Sequence, residues 1–425
     1  MTYIMHKRLT LFIAMSFYGY SIFIGLQYYL AEEHWFWGFS PPMLTLEGWF
    51  FCLVAIMLIS LFLPINIKKP SSLVLITLCF VVIMPILVLT IFNYENSIVR
   101  YGPTLGLLIM GFIFSCFLCS RVTKPSTENK IPSGNVAIVF LAIAVCMAVL
   151  LVYEYASIMA FAGLEQTYEQ RKLGAASSGF IGYIQVYLAY FFCPGLLAIG
   201  LSRKNIVLTI FAVAGFVLSY SITAERTVFL LPIIMIGIYV LYSYKKRISY
   251  ISLVFFVSLI IIFASVFYES SSVVNGIALY FVYRVIALPG ILFSQYLDFF
   301  GEQGLTYWTH VRGFDLVIDV PVAYQNNPLF PYLGRILADE FLGVDSNSNA
   351  NLFAYDGAAA LGILGVLIIC LLLTLWLLVL DYAANKWSPA FVLPVVFPMA
   401  YALTNGSFFT VLLSFGGIFW IILFF

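Results

Sequence analysis

With 425 residues, 63% of them hydrophobic and 9% charged, the chain has too little polar surface to cover a water-soluble globule of its size. Mean hydropathy is +1.05, and runs of about 20 apolar residues, enough to span a bilayer core, recur throughout. A net charge of +1 supplies no concentrated basic surface, which excludes a nucleic-acid partner.

Lys7 and Arg8 precede the first apolar run, and no small-x-small cleavage site follows it, so it reads as an uncleaved first span. Twelve spans are predicted, at about 9–30, 48–66, 71–92, 102–120, 135–153, 180–201, 205–221, 227–243, 249–268, 358–380, 388–403 and 407–425. The fold class is therefore all-α, one polytopic membrane domain over 1–425, with the lipid bilayer as its solvent. The seven cysteines all fall in apolar runs, which excludes a disulfide framework and makes Cys116-x-x-Cys119 a packing feature.

Charge orients the spans. Placing the N-terminus in the cytoplasm leaves Lys7, Arg8, Lys68, Lys69, Arg121, Lys124, Lys130, Arg203, Lys204, Lys245, Lys246, Arg247 and Lys386 inside, as the positive-inside rule requires. Of the 19 acids, only Glu128 and Asp381 share that side. The outside basic residues are Arg100, Arg171, Lys172, Arg226, Arg284, Arg312 and Arg335. Arginine grips phosphate or carboxylate through two parallel donors and keeps its charge when partly desolvated. Salt bridges with outside acids would use such residues singly; as a set they point to an anion-binding cavity.

Two outside segments are long enough to build a site. The first, 154–179, carries Tyr168, Arg171 and Lys172 ahead of a small-residue run. The second, 269–357, exceeds any idle connection. Within it, the apolar stretch 275–300 holds Arg284, Pro289, Gly290 and Gln295, and is predicted as an in-plane or re-entrant pair of helices packed on protein. Arg284 there would cost about 2.5 to 3.5 kcal/mol on insertion without a partner or a wet cavity. His310, beside Arg312 in YWTHVRGF, titrates near neutrality and could serve as a general base; it could equally be a packing residue. Glu302, Asp298, Asp315 and Asp319 are alternative bases, and Tyr280, Tyr283, Tyr296, Tyr307 and Trp308 could stack on sugars or form an interfacial belt. No GxxxxGK[ST] loop, HExxH or paired CxxC occurs, so neither ATP-driven transport nor a zinc centre is expected, and no cofactor.

This layout resembles the O-antigen (oligosaccharide repeat unit) polymerases of Gram-negative inner membranes. Arg171 and Gly182 enclose ten residues, similar to the arginine-x10-glycine pattern of their first functional periplasmic loop. Arg284 and Gly301 enclose sixteen where the family's second pattern has fifteen. The stretch NANLFAYDGAAALGILGV, from Asn349 to Val366, looks like the family's helix start after the large loop. The resemblance implies metal-independent glycosyl transfer between undecaprenyl-diphosphate-linked oligosaccharides at the periplasmic face, with a polysaccharide chain-length regulator as a further partner. It also implies roles for residues: His310, Arg284 and Glu302 in catalysis, and Arg171, Arg226, Arg312, Arg335 and Tyr168 in holding substrate. The related O-antigen ligases, which use a histidine of the large loop, are the nearest alternative. A lipid-linked saccharide flippase and a monosaccharide transferase using Glu32 and Glu33 are the others.

Overall fold

The computed structural model describes residues 2–123, 130–161, 170, 174, 179–344 and 346–425. Among the described residues nine helices are long and apolar enough to cross a membrane, and four shorter apolar helices accompany them. In chain order they are α1 (Met5–Glu33), α2 (Leu46–Phe62), α3 (Pro70–Phe92), α4 (Ser97–Val122), α5 (Gly134–Tyr155), α6 (Gly179–Arg203), α7 (Ile206–Thr223), α8 (Arg226–Lys245), α9 (Ile251–Val266), α10 (Ser272–Gln303), α11 (Phe353–Ala384), α12 (Pro389–Ala402) and α13 (Phe408–Phe424). Their starts carry the expected signals. Thr45, Ser133, Asn205, Ser271 and Ser407 accept backbone N–H bonds as N-caps, and Pro70 and Pro389 open their helices, where a missing N–H is harmless. The chain is an all-α polytopic membrane protein.

Alternate helix ends meet at two opposite faces of the bundle. At one, the Arg8 guanidinium donates to the Ser60 and Leu63 carbonyls, Arg203 donates to Pro132 O at 2.9 Å, Tyr250 donates to Pro64 O, and Trp387 Nε1 donates to Phe424 O. Asp381, fully buried, pairs with Lys69 at 3.0 Å and accepts from the Ser71 and Thr123 hydroxyls, tying α3, α4 and α11 together. This is the lysine-rich end. The opposite end gathers the long loops and the acids, the charge asymmetry expected from sequence.

α10 departs from expectation in form. It is one continuous helix, not a re-entrant pair, about 48 Å long at 1.5 Å per residue. Just before it, Tyr268 donates to Glu32 at 3.2 Å; near its other end, Gln295 donates to Trp37 O at 2.6 Å, and Asp298 pairs with Arg100 at 2.9 Å. Glu32, Trp37 and Arg100 all sit at the loop end, so both ends of α10 lie there and it does not cross. The backbone explains why no break was needed. The π-helical turn Ala278–Ala287 precedes Pro289, just as Cys79–Ile83 precedes Pro85 and Leu188–Phe192 precedes Pro194. Proline lacks an N–H and its ring crowds the carbonyl one turn back; a wider turn relieves the clash. Gly290 lets α10 rest on α3, for a Cβ there would stand 2.8 Å from Pro85.

α11 also differs from the single span expected at 358–380. Leu361 and Gly362 are non-helical, Gly362 at φ 58°, so the segment before them folds back on the span after. Gly357 and Gly365 make the reversal: a Cβ on Gly365 would overlap the Gly357 carbonyl.

Candidate functional site

The reversal in α11 builds the wall of a site at the loop end. Ending a helix at Ala360 strands its last carbonyls, and the large loop satisfies them. Thr306 N–H donates to Ala359 O at 2.9 Å and Tyr307 N–H donates to Ala360 O at 3.0 Å. Trp308 Nε1 adds a bond to Asp356 O at 2.7 Å. Tyr307 and Trp308 hold positive φ (49° and 60°), a conformation costly for bulky residues that this three-bond attachment maintains.

A cavity of about 800 Å³ opens beside this wall, between the loop and the outer turns of α6 and α13. Its polar lining includes Arg312, Asp315, Tyr183, Tyr332, Ser407 and Thr410; Val186, Leu413 and Phe415 line it deeper in. Arg312 is exposed, with Nη1 donating to Tyr183 Oη at 3.4 Å. Arg335, also exposed, lies 5.1 Å over the ring of the lining residue Tyr332. Asp315 is exposed and accepts from Gly313 N at 2.8 Å, on a turn that Gly313 makes at φ 100°.

His310 belongs to the lining, yet its imidazole is turned into the protein. Nδ1 is 2.8 Å from Thr306 Oγ1 and Nε2 is 3.5 Å from Asp356 Oδ1, with both side chains fully buried. Asp356 in turn accepts from Ser407 Oγ at 2.9 Å and from the Phe408 amide, capping α13. The ring also packs edge-on against Tyr355 at 5.2 Å. His310 thus both lines the cavity and, through Thr306 and Asp356, is placed to position its wall.

The other expected catalytic residues lie elsewhere. Glu302 is exposed at the end of α10, with Arg100 as its neighbouring charge. Arg284 is eighteen residues earlier on the same helix, about 25 Å away, so the two cannot share one reacting centre. Arg284 is exposed, not sunk among apolar side chains. It lies beside Tyr283, on which His34 stacks at 3.9 Å and 9°. Burial, and then the Arg284 charge, push His34 down to about 4. Arg226, half-buried, sits 4.0 Å over Tyr280, one turn from Arg284, so these two arginines converge on the α10 face. Glu225 accepts from Tyr190, whose ring meets the lining residue Phe415 at 4.4 Å, which connects that face to the deep end of the cavity. Arg171 and Tyr168 lie outside the described residues. Their described neighbours Gln170 and Gly174 pack on Ser221 and Ile222, at the end of α7.

Sequence reasoning missed Asp356, Tyr183, Tyr332 and Ser407. Asp356 carried a usable signal, a lone acid inside an apolar run, a position that lipid tolerates only with partners. Among the described residues no three His, Cys, Asp or Glu side chains are grouped to hold a metal. Cationic side chains stand at two places, Arg312 with the tyrosine hydroxyls at the cavity and Arg226 with Arg284 on the α10 face. The chain matches no known family model, no curated protein and no solved structure. Fold and site together define a multi-pass α-helical membrane protein with a polar cavity at the loop end of its bundle.

Proposed function

We propose that the protein is a membrane glycosyltransferase that polymerises undecaprenyl-diphosphate-linked oligosaccharide repeat units, the O-antigen polymerase reaction. The observation that carries this reading is the 800 Å³ cavity at the membrane boundary, lined by an arginine, a carboxylate and tyrosines. That volume suits a saccharide, tyrosine rings suit its faces, and the arginine suits a diphosphate. On this reading the lysine-rich end faces the cytoplasm and the cavity faces the periplasm of the inner membrane.

The reaction then divides among the residues. A sugar hydroxyl of the acceptor attacks the anomeric carbon of the donor. The new C–O bond forms as the bond to the diphosphate breaks, the electron pair leaves with the diphosphate, and the hydroxyl proton passes to Asp315, the carboxylate open to the cavity. Arg312 meets the charge growing on the leaving group, and Arg226 with Arg284 hold the second lipid-linked saccharide. Fixed donors of this kind stabilise a departing anion in a partly desolvated site without reorganising.

Lipopolysaccharide gels of cells carrying Arg312→Ala or Arg226→Ala test the assignment. Removing one such donor costs on the order of 100- to 1,000-fold in turnover, so the ladder of chain lengths should collapse to single repeat units. Arg121→Ala, at the lysine-rich end, should keep the full ladder. A full ladder in both test variants, or normal polymer that only fails to reach lipid A-core, would sink the polymerase reading; the second pattern belongs to a ligase.

A further inference from the structure

The cavity is not sealed from the membrane side. Its lining descends seven residues along α6, from Gly179 to Val186, about 10 Å into the span region at helical rise, and nearly as far along α13, from Phe409 to Phe415. The charged residues Arg312 and Asp315 lie on its loop side, and Val186, Leu413 and Phe415 line its depth beside Ser414. Leu413 and Tyr183, on the two facing helices, are exposed at 54% and 44%. Both helices are irregular at one level. α6 widens over Leu188–Phe192, and α13 breaks at Ser414–Gly416, where Gly416 takes φ 87° and packs on Phe191. The break strands the Leu413 carbonyl, and Tyr187 Oη donates to it at 3.0 Å. The outer arms of α6 and α13 are thus articulated and latched at the floor of the crevice between them.

The geometry points to this crevice as a lateral portal for an isoprenoid chain, which lies between Tyr183 and Leu413 while its diphosphate sits beside Arg312. The inference rests on the reading that the cavity takes a polyprenyl-diphosphate-linked saccharide, because the portal continues that cavity into the lipid-facing surface. Apart from the Thr410 and Ser414 hydroxyls and those of the tyrosines, the descent from Arg312 to Leu413 is uncharged and largely apolar, which suits an amphiphile with a charged head and an apolar tail.

The test uses full-length protein with Cys146→Ser, which removes an exposed native thiol, in vesicles of phosphatidylethanolamine and phosphatidylglycerol. Leu413→Cys, Tyr183→Cys and, on the exposed face of α9, Phe256→Cys each carry a benzophenone maleimide. Radiolabelled long-chain polyprenyl diphosphate without sugar is the probe. Photolabelling at Leu413 or Tyr183 should saturate and be lost on adding unlabelled polyprenyl diphosphate, whereas labelling at Phe256 should rise linearly and resist competition. Linear labelling at both portal positions, or displacement there by extra phosphatidylglycerol, overturns the portal. Saturable labelling in a protein that never extends purified lipid-linked repeat units leaves the portal standing and overturns the polymerase reading instead.

Discussion

His34 carries a measurable consequence. Stacked on Tyr283 and neighboured by Arg284, it is held near pKa 4, against an ordinary value of about 6.5. Between those values the unfolded chain binds more protons than the folded one, so stability rises with pH there. The His34 contribution is complete above about pH 6.5 and is lost as pH falls towards 4. Thermal unfolding in detergent at pH 7 and pH 5 should therefore show a larger drop for the native chain than for His34→Phe, which keeps the stack but cannot protonate. Equal drops would dismiss the effect. Nothing in LAEEHWFW announced this residue, because the arrangement depends on a ring some 250 positions later in the chain. Arg284 was visible as an expensive charge, but its exposed position was not: hydropathy records what surrounds a residue in sequence, and the side chain answers to what surrounds it in space. Asp381 illustrates the opposite case. It stood out as one of two acids on the lysine-rich side, and its buried pairing with Lys69 explains why it is there.

At the scale of elements, the membrane spans were legible because a run of apolar residues long enough to cross lipid has few alternatives in which its backbone is satisfied. α10 passed the same test and yet lies flat, since length and composition carry no direction. Its Pro289-Gly290 pair reads as a break in sequence, but a widened turn absorbed the proline and the glycine served contact with α3. The reversal in α11 was hidden for a similar reason: NANLFAYDGAAALGILGV is apolar from end to end, and only the pairing of Gly357 with Gly365 across the break reveals a hairpin. That pairing predicts a sharp substitution effect. Gly365→Ala would push a methyl into the Gly357 carbonyl, and such overpacking costs about 1 to 3 kcal/mol or more. Because the carbonyls of Ala359 and Ala360 anchor the cavity wall, the variant should lose activity as well as thermal stability, whereas Gly237→Ala, whose Cβ would meet open space, should lose neither. Matching melting curves for the two variants would refute the hairpin.

For the whole molecule, the two faces of the bundle can be tested directly in sealed inside-out and right-side-out vesicles. Ser270→Cys and Gln303→Cys, bracketing α10, should react with an impermeant maleimide in the same preparation, and Lys386→Cys in the other. Reaction of Ser270→Cys and Gln303→Cys in different preparations would make α10 a thirteenth crossing. The division into two charged faces was available from sequence because lysines and acids segregate along the chain. The assembly of the cavity was not, since it joins α6, the large loop and α13 through contacts between residues more than a hundred positions apart, such as Tyr183 with Arg312. The lysine-rich face has one more effect. Arg8 and Phe424 both come to rest on it, so thiols introduced beside either residue would be labelled from a single compartment, away from the side on which the cavity opens.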